Sequence, residues 1–106
     1  MSNFSIKQGQ SYTFSGELTD SKGNPIELSK FDKIRALVSS QWRKVILGSE
    51  SLSIKENKLI FKISADDTRT FQGRVVIEVE LRKGETVVIG TTKEIINVEP
   101  TKISKL

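Results

Sequence analysis

Apolar and polar side chains alternate with a period of two along much of the chain. The clearest run covers residues 74–82, where the residues that share one face are Val75, Ile77, Val79 and Leu81. An α-helix cannot place every second residue on one side, whereas a β-strand does so throughout its length. The same alternation occurs at residues 12–19 and 58–63. These three runs predict β-strands with one buried face.

Turn-forming residues separate the predicted strands. Residues 20–25 combine Asp, Gly, Asn and Pro, each of which favours a tight reversal for its own steric or hydrogen-bonding reason. Asn57 tolerates a positive φ and predicts a hairpin at residues 56–58. Gly84 predicts a second hairpin at residues 83–85. Strands joined by such short loops are antiparallel.

Two segments break the alternation. Residues 39–41 are polar and interrupt the apolar positions, which predicts a turn or bulge between two strands. Closer to the C-terminus the alternation changes phase: Val87 and Ile89 occupy odd-numbered positions, whereas Ile96 and Val98 occupy even-numbered positions. This change of phase predicts a one-residue register shift at residues 90–92, through a bulge or a switch of sheet.

One short segment, residues 64–71, has a helical pattern. Ser64 can cap the segment, and Asp67 follows three residues later, as in a capping box. We expect a single helical turn that crosses between two sheets, with Phe71 packed beneath it.

Together these elements predict an all-β fold of seven to eight strands with one short helical turn. Strands of this length and spacing are typical of an antiparallel β-sandwich with immunoglobulin-like topology, and a small barrel is the alternative. A chain of 106 residues suits a single core, which we place at residues 1–100. The polar segment 101–106 is expected to fray.

The composition argues against an enzyme. The chain has no cysteine and no histidine, which removes thiolate nucleophiles, the usual general base near neutral pH and the commonest nitrogen ligand for metals. No calcium-loop, phosphate-loop or Gly-x-Ser-x-Gly pattern is present. Two carboxylate pairs could be considered for glycoside hydrolysis, but each has a simpler explanation. Asp66 and Asp67 suit the first turn of a helix, which favours acidic side chains, and Glu78 and Glu80 suit the solvated face of a strand. We therefore predict neither catalysis nor a cofactor.

The distribution of charge and aromatic residues directs attention to protein or carbohydrate partners. The net charge is +4, but the basic residues are dispersed instead of forming the stripe typical of nucleic-acid readers. No apolar run approaches the ~20 residues that span a bilayer, and the first residues do not resemble an export leader, so we expect folding in a cytoplasm. The candidate partner-binding residues are Trp42, Arg43 and Lys44. A partly buried core tryptophan is the alternative interpretation of Trp42.

The order of several short motifs resembles the small β-sandwich domains of tailed-bacteriophage tail and baseplate proteins. In those domains an opening Gln-Gly strand precedes a D-x-x-G-x-P-I-D-L-T turn and an arginine-containing strand, followed by a short Ser-Ala-Asp segment and a long alternating strand. The matching residues here are Phe4, Ile6, Gln8-Gly9, Tyr12, Phe14, residues 18–29, residues 34–36, residues 63–68 and Gly73. Glu27 and Ser29 stand where that pattern has Asp and Thr.

This resemblance implies a non-enzymatic structural protein of a phage or prophage virion, in a tail, baseplate or fibre adaptor. Its partners would be other virion proteins in a symmetric assembly or further copies of itself, and it would be assembled in the cytoplasm of a bacterial host. A carbohydrate-binding β-sandwich module that uses Trp42 and Tyr12 is the alternative function.

Overall fold

The computed structural model describes residues 3–41, 43–92 and 95–101. Within them the chain forms ten strands, one short α-helix and two 3-10 turns, the latter at Leu28–Lys30 and Ser49–Ser51. The helix α1 spans Ala65–Thr70. The strands are β1 (Asn3–Lys7), β2 (Tyr12–Gly16), β3 (Leu18–Thr19), β4 (Lys33–Ser39), β5 (Lys44–Leu47), β6 (Ser53–Lys55), β7 (Lys58–Ile63), β8 (Gly73–Lys83), β9 (Thr86–Thr92) and β10 (Ile95–Glu99).

The strands form two sheets of unequal size. The large sheet has the order β1-β10-β8-β4-β5, with β9 beside the second half of β8 and β3 beside β9. It curls like a half-barrel. The small sheet has the order β2-β7-β6. Among the described residues β1 and β10 are parallel, and all other strand pairs are antiparallel. The all-β prediction is thus confirmed, although the strands outnumber the predicted seven to eight.

One apolar core fills the space between the sheets. The central strand β8 buries Val75, Ile77, Val79 and Leu81, the four residues that its alternation assigned to one face. The small sheet contributes a stacked pair of rings, Phe14 and Phe61, with their centroids 5.0 Å apart. Removing such side chains from water supplies most of the stability of a chain that has no disulfides.

The first long alternating run divides between the two sheets, which the sequence did not predict. Residues 12–16 belong to the small sheet through β2, whereas β3 pairs with β9 in the large sheet. Gly16 lies at the crossing point, and a Cβ there would approach the Phe14 ring to 2.8 Å. Glycine therefore allows this ring to pack against the backbone where the chain changes sheets.

The predicted turns are confirmed, with an added anchor at the first hairpin. Glu56 and Asn57 both adopt positive φ between β6 and β7, and Gly84 does so between β8 and β9. The Asn57 side chain also reaches a distant segment: its Oδ1 accepts from the Leu28 N–H at 2.8 Å, and its Nδ2 donates to the Ile26 C=O at 3.0 Å. These two bonds tie the small sheet to the loop that precedes β4.

The helical turn is also confirmed. The Ser64 Oγ accepts from the Asp67 N–H at 3.1 Å and caps α1, which connects β7 in the small sheet to β8 in the large one. Phe71 is fully buried where the helix ends. Thr68 is buried on the helix, where its Oγ1 donates to the Gln10 C=O and accepts from the Gly9 N–H, so the opening loop is fastened to α1.

The predicted register shift after β9 is wrong in size. Val79 pairs with Gly90 and Val75 pairs with Ile96, so four residues along β8 correspond to six along the opposing chain. An offset of two residues leaves the same face towards the core. Gly90 and Ile96 are accordingly buried, whereas Val87 and Ile89, which the predicted shift would have placed on the same face as Ile96 and Val98, lie on the outer face of the large sheet.

Candidate protein-binding surface

Two of the three predicted partner-binding residues, Arg43 and Lys44, lie in and beside one hairpin. The turn between β4 and β5 is closed by a hydrogen bond from the Ser40 N–H to the Arg43 C=O at 2.8 Å. Arg43 and Lys44 are exposed there, and Lys44 begins β5. Trp42 lies outside the described residues, so both interpretations of that side chain stay predictions.

A larger candidate surface continues from this hairpin across the sheet. We call it the outer face: the solvent side of β5, β4, β8 and β9. Its exposed aliphatic side chains, with their exposed fractions, are Ile46 at 63%, Ile89 at 47%, Val87 at 46% and Val76 at 44%. Leu37 is half-buried beside them. Scattered single aliphatic residues are ordinary on a surface, but a group on one sheet face indicates a contact site.

Strand register brings these residues together from distant parts of the sequence. Leu37 on β4 lies opposite Ile46 on β5 and opposite Glu78 on β8. In the neighbouring row, Glu80 on β8 lies between Arg35 on β4 and Ile89 on β9. Directly opposed side chains in an antiparallel pair are in contact range. Each of these two adjoining rows therefore contains both aliphatic and charged side chains.

A bidentate ion pair stands in the middle of the outer face. The Arg35 Nε and Nη2 each donate to an oxygen of the Glu80 carboxylate at 3.1 Å, and the Arg82 Nε donates to Glu80 Oε1 at 2.9 Å. The bonds from Arg82 and Arg35 hold the pKa of the Glu80 carboxyl below its ordinary value of 4.5. Glu80 therefore stays ionised at neutral pH and holds both guanidinium groups in place.

A shallow groove of ≈ 210 Å³ crosses the outer face between these rows. It is lined mainly by Arg35, Leu37, Ile46, Glu78, Glu80 and Ile89. Pockets for small organic ligands usually measure ≈ 300–1,000 Å³ and enclose the ligand. This groove is smaller and open, which suits one or two side chains of a docked protein.

The cationic side chains give the outer face an excess of positive charge. Glu78 and Glu80 are its carboxylates, while the basic residues that share it are Lys33, Arg35, Lys44, Arg74 and Arg82. A partner with acidic groups around an aliphatic centre would complement such a surface.

Comparisons with known proteins found no matching family model and no matching curated protein.

The structure gives less detail on the other functions considered, which are carbohydrate binding, metal binding and membrane crossing. Tyr12, proposed for a carbohydrate site, is half-buried, and its ring lies 6.2 Å from that of Phe4 in a tilted pair. Carbohydrate binding stays a prediction of the sequence. Among the described residues, no group of three or more carboxylates is placed to hold a metal ion. In the same part of the chain, no helix is both long and apolar enough to cross a bilayer.

Sequence reasoning overlooked the outer face itself. It recognised Lys44 at one end and Arg43 in the adjoining turn, but it did not identify Ile46 or Ile89 as surface residues. One signal was present: in β9 the residues Val87, Val88 and Ile89 are consecutive, so an apolar side chain had to face outwards whichever face was buried.

Proposed function

We propose that this chain is a non-enzymatic assembly module of a phage or prophage virion, located in a tail, baseplate or fibre adaptor. In this role it acts through protein–protein contacts. The domain is a variant of the immunoglobulin-like sandwich, in which the large sheet presents a binding face and the small sheet closes the core. The resemblance of its motifs to tail and baseplate domains supports the assignment to a virion.

The observation that carries the proposal is the composition of the outer face. It combines four exposed aliphatic side chains with the Arg35–Glu80–Arg82 cluster on paired strands. Protein interfaces commonly have an apolar centre, and arginine is enriched there. The backbone beneath these residues is held by the β4–β8 and β8–β9 ladders, so the surface is preorganised.

The partner that fits this face has aliphatic side chains at its centre and carboxylates around them. The groove between Ile46 and Ile89 accepts the former, and the arginine and lysine side chains attract the latter. Another virion protein with such a surface is the proposed partner.

Quantitative mass spectrometry of purified particles tests the proposal. The host strain would carry the wild-type chain, an outer-face variant with Val87→Lys and Ile89→Lys, or a matched control with Thr13→Lys and Ser15→Lys. The control changes two exposed residues on the outer side of the small sheet. We expect the wild type and the control at a fixed copy number per particle, and the outer-face variant reduced at least about tenfold. Absence of the wild-type chain from the particles would refute the virion role.

A further inference from the structure

The edge of the large sheet formed by β5 has backbone groups that point outwards. Ser40 and Arg43 form a hydrogen-bonded pair, and such pairs alternate along an antiparallel ladder. Val45 and Leu47 therefore direct their N–H and C=O groups to β4, whereas Lys44 and Ile46 direct theirs away from it. Among the described residues no strand pairs with this side of β5. This side of β5 is therefore a free strand edge.

Few of the devices that usually protect an edge strand are present on β5. Natural edges are commonly blocked by charged side chains, proline or bulges. The strand consists of Lys44 and three aliphatic residues, and Ile46 at its centre is 63% exposed. An edge of this composition favours addition of another strand.

The side chains on the outer side of this edge have a self-complementary order. Gly48 continues the extended backbone with φ −82° and ψ 177°, so its Cβ position lies on the same side as Lys44 and Ile46. The Glu50 carboxylate fills that position, with its oxygens 2.9 and 3.0 Å from where a Cβ would be. The edge therefore presents a cation, an aliphatic side chain and an anion in sequence. Within the described part of the chain neither Lys44 nor Glu50 forms an ion pair.

We infer that two copies of this chain pair antiparallel through β5, with Ile46 of each copy opposite Ile46 of the other. Lys44 then lies opposite Gly48 of the second copy and meets the Glu50 carboxylate there, once on each side of the two-fold axis. On the inner side Val45 lies opposite Leu47 of the second copy, so the apolar core continues across the junction. The two large sheets become one.

Other in-phase registers fit less well. Centring the two-fold axis on Val45 places Lys44 opposite Ile46, so the Glu50 carboxylate of the second copy lies only diagonally across from Lys44, at about 7–8 Å. Centring it on Lys44 places two ammonium groups directly opposite each other, which is destabilising. Of these three registers, the one centred on Ile46 places Lys44 directly opposite the position that the Glu50 carboxylate fills, which favours a second copy of the chain as the occupant.

The contact is small, because four or five residues per copy bury less than the 1,200–2,000 Å² of a typical stable interface. We therefore expect reversible dimers at high protein concentration and stronger pairing where an assembly holds the copies close together. The inference goes beyond the virion role and applies to the isolated protein.

Disulfide trapping tests the register, since the natural chain has no cysteine. In the Ile46→Cys variant the two thiols would be directly opposed, at a Cα separation compatible with a disulfide. Ile54→Cys is the matched control, because Ile54 is 47% exposed on β6, an edge strand of the small sheet. We expect Ile46→Cys to form covalent dimers at least about tenfold faster. Equal rates would overturn the inference, and faster trapping by Val45→Cys would overturn the register.

A charge exchange tests the flanking contacts. Lys44→Glu and Glu50→Lys, each measured by sedimentation velocity, should weaken dimerisation by roughly tenfold, because both symmetric contacts become repulsive. The double variant restores opposite charges and should recover wild-type association. If it dimerises no better than the single variants, Lys44 and Glu50 do not meet.

Amide hydrogen exchange identifies any other occupant of the edge. The Lys44 and Ile46 amides should exchange rapidly in dilute protein and slowly in concentrated protein. Protection in the dilute monomer would mean that the chain covers its own edge, and rapid exchange at every concentration would mean that no second copy binds. Either result would overturn the inference.

Discussion

The outer sides of the two sheets differ in chemistry although both follow the same alternation. On the small sheet the outward residues include Thr13, Ser15, Lys58 and Lys62, as expected of a surface that faces water, with Ile60 half-buried among them. On the large sheet aliphatic residues such as Ile46 and Ile89 take equivalent positions. Alternation determines which side chains face away from the core. The polarity of those side chains then indicates whether they contact water or a binding partner. The small sheet is a solvated cover for the core, and the outer face of the large sheet is the candidate binding surface.

The free edges of the sheets differ in the same way. On the small sheet, Lys55 at the end of β6 lies opposite Lys58, which places two positive charges beside that edge. Both edge strands have one lysine and an exposed isoleucine at their centre, Ile54 on β6 and Ile46 on β5, but on the large sheet Lys44 lies opposite Ser39 and not opposite a second lysine. Charge discourages strand addition at the first edge, and the second edge lacks that protection.

The largest expected loss of stability follows from detaching the small sheet. Asn57→Ala removes both hydrogen bonds to the segment around Ile26 and Leu28 and forces alanine into a positive φ of 60°. Two half-buried bonds and a left-handed backbone together amount to about 3 kcal/mol of the free energy of unfolding. Urea denaturation measures this loss.

Asn57→Gly separates the two causes. Glycine adopts the positive φ without strain, so only the hydrogen bonds are lost, and we expect about 2 kcal/mol. A glycine variant as stable as the wild type would show that Asn57 does not hold the small sheet in place.

Changes on the outer face should affect binding properties but not folding. The double variant Ile46→Lys and Ile89→Lys replaces side chains that are 63% and 47% exposed, so its unfolding free energy should change by no more than about 0.5 kcal/mol for each substitution. Its retention on a hydrophobic-interaction column should fall markedly, because exposed aliphatic area is removed.

The matched change on the small sheet is Thr13→Lys with Ser15→Lys, which adds the same charge without removing an aliphatic side chain. This control should shift retention much less. If the two double variants elute together, the outer face is no more adhesive than the small sheet, and the contrast between the two surfaces fails.

The sequence predicted this fold best where one strand could be interpreted by itself. The run at residues 74–82 identified the buried face of β8 correctly because its apolar residues occupy one phase only. In β9 both phases are apolar, and the buried position opposite Val79 is Gly90, which has no side chain to reveal it. The exposed residues Val87 and Ile89 were therefore expected on the same face as Ile96 and Val98, which led to the wrong register shift.

The remaining errors concern contacts between distant residues. Asn57 was recognised as a turn residue, but its bonds to residues 29 and 31 positions away have no local signature. Glu80 was assigned to a solvated strand face, which is its position, yet its pairing with Arg35 depends on a β4–β8 register that one strand does not specify. The candidate surface consists of residues from four strands that the pairing register brings side by side. It therefore cannot be identified from any one strand alone.

The charged cluster on the outer face should make stability depend on acidity. The pKa of Glu80 lies below 4.5 because Arg82 and Arg35 donate hydrogen bonds to its ionised form. Its contribution is therefore complete above about pH 5 and disappears as the pH falls through the lowered pKa. In Glu80→Gln the unfolding free energy should decline less steeply with acid than in the wild type.

Two further variants check this assignment in pH-dependent urea titrations. Glu78→Gln removes a carboxylate from the same strand that has no ion pair among the described residues, and it should leave the acid slope of the wild type unchanged. Glu99, whose pKa is lowered by a hydrogen bond from Lys7, remains in Glu80→Gln and accounts for part of the residual slope. Equal slopes for Glu80→Gln and the wild type would exclude the cluster as a source of acid sensitivity.

The smallest expected effect concerns the protected edge of the small sheet. Lys55 and Lys58 are directly opposed at the end of the β6–β7 hairpin, and like charges in that position repel. Lys55→Glu creates an opposite-charge pair and should raise the unfolding free energy by about 0.5 kcal/mol at low ionic strength. The gain should disappear in 1 M NaCl, where the Debye length is only about 3 Å. The double variant Lys55→Glu and Lys58→Glu restores repulsion and should lose the gain. If Lys55→Glu stabilises the protein equally at both salt concentrations, the gain does not come from relieving repulsion between Lys55 and Lys58. The two lysines would then protect this edge against strand addition without lowering the stability of the fold.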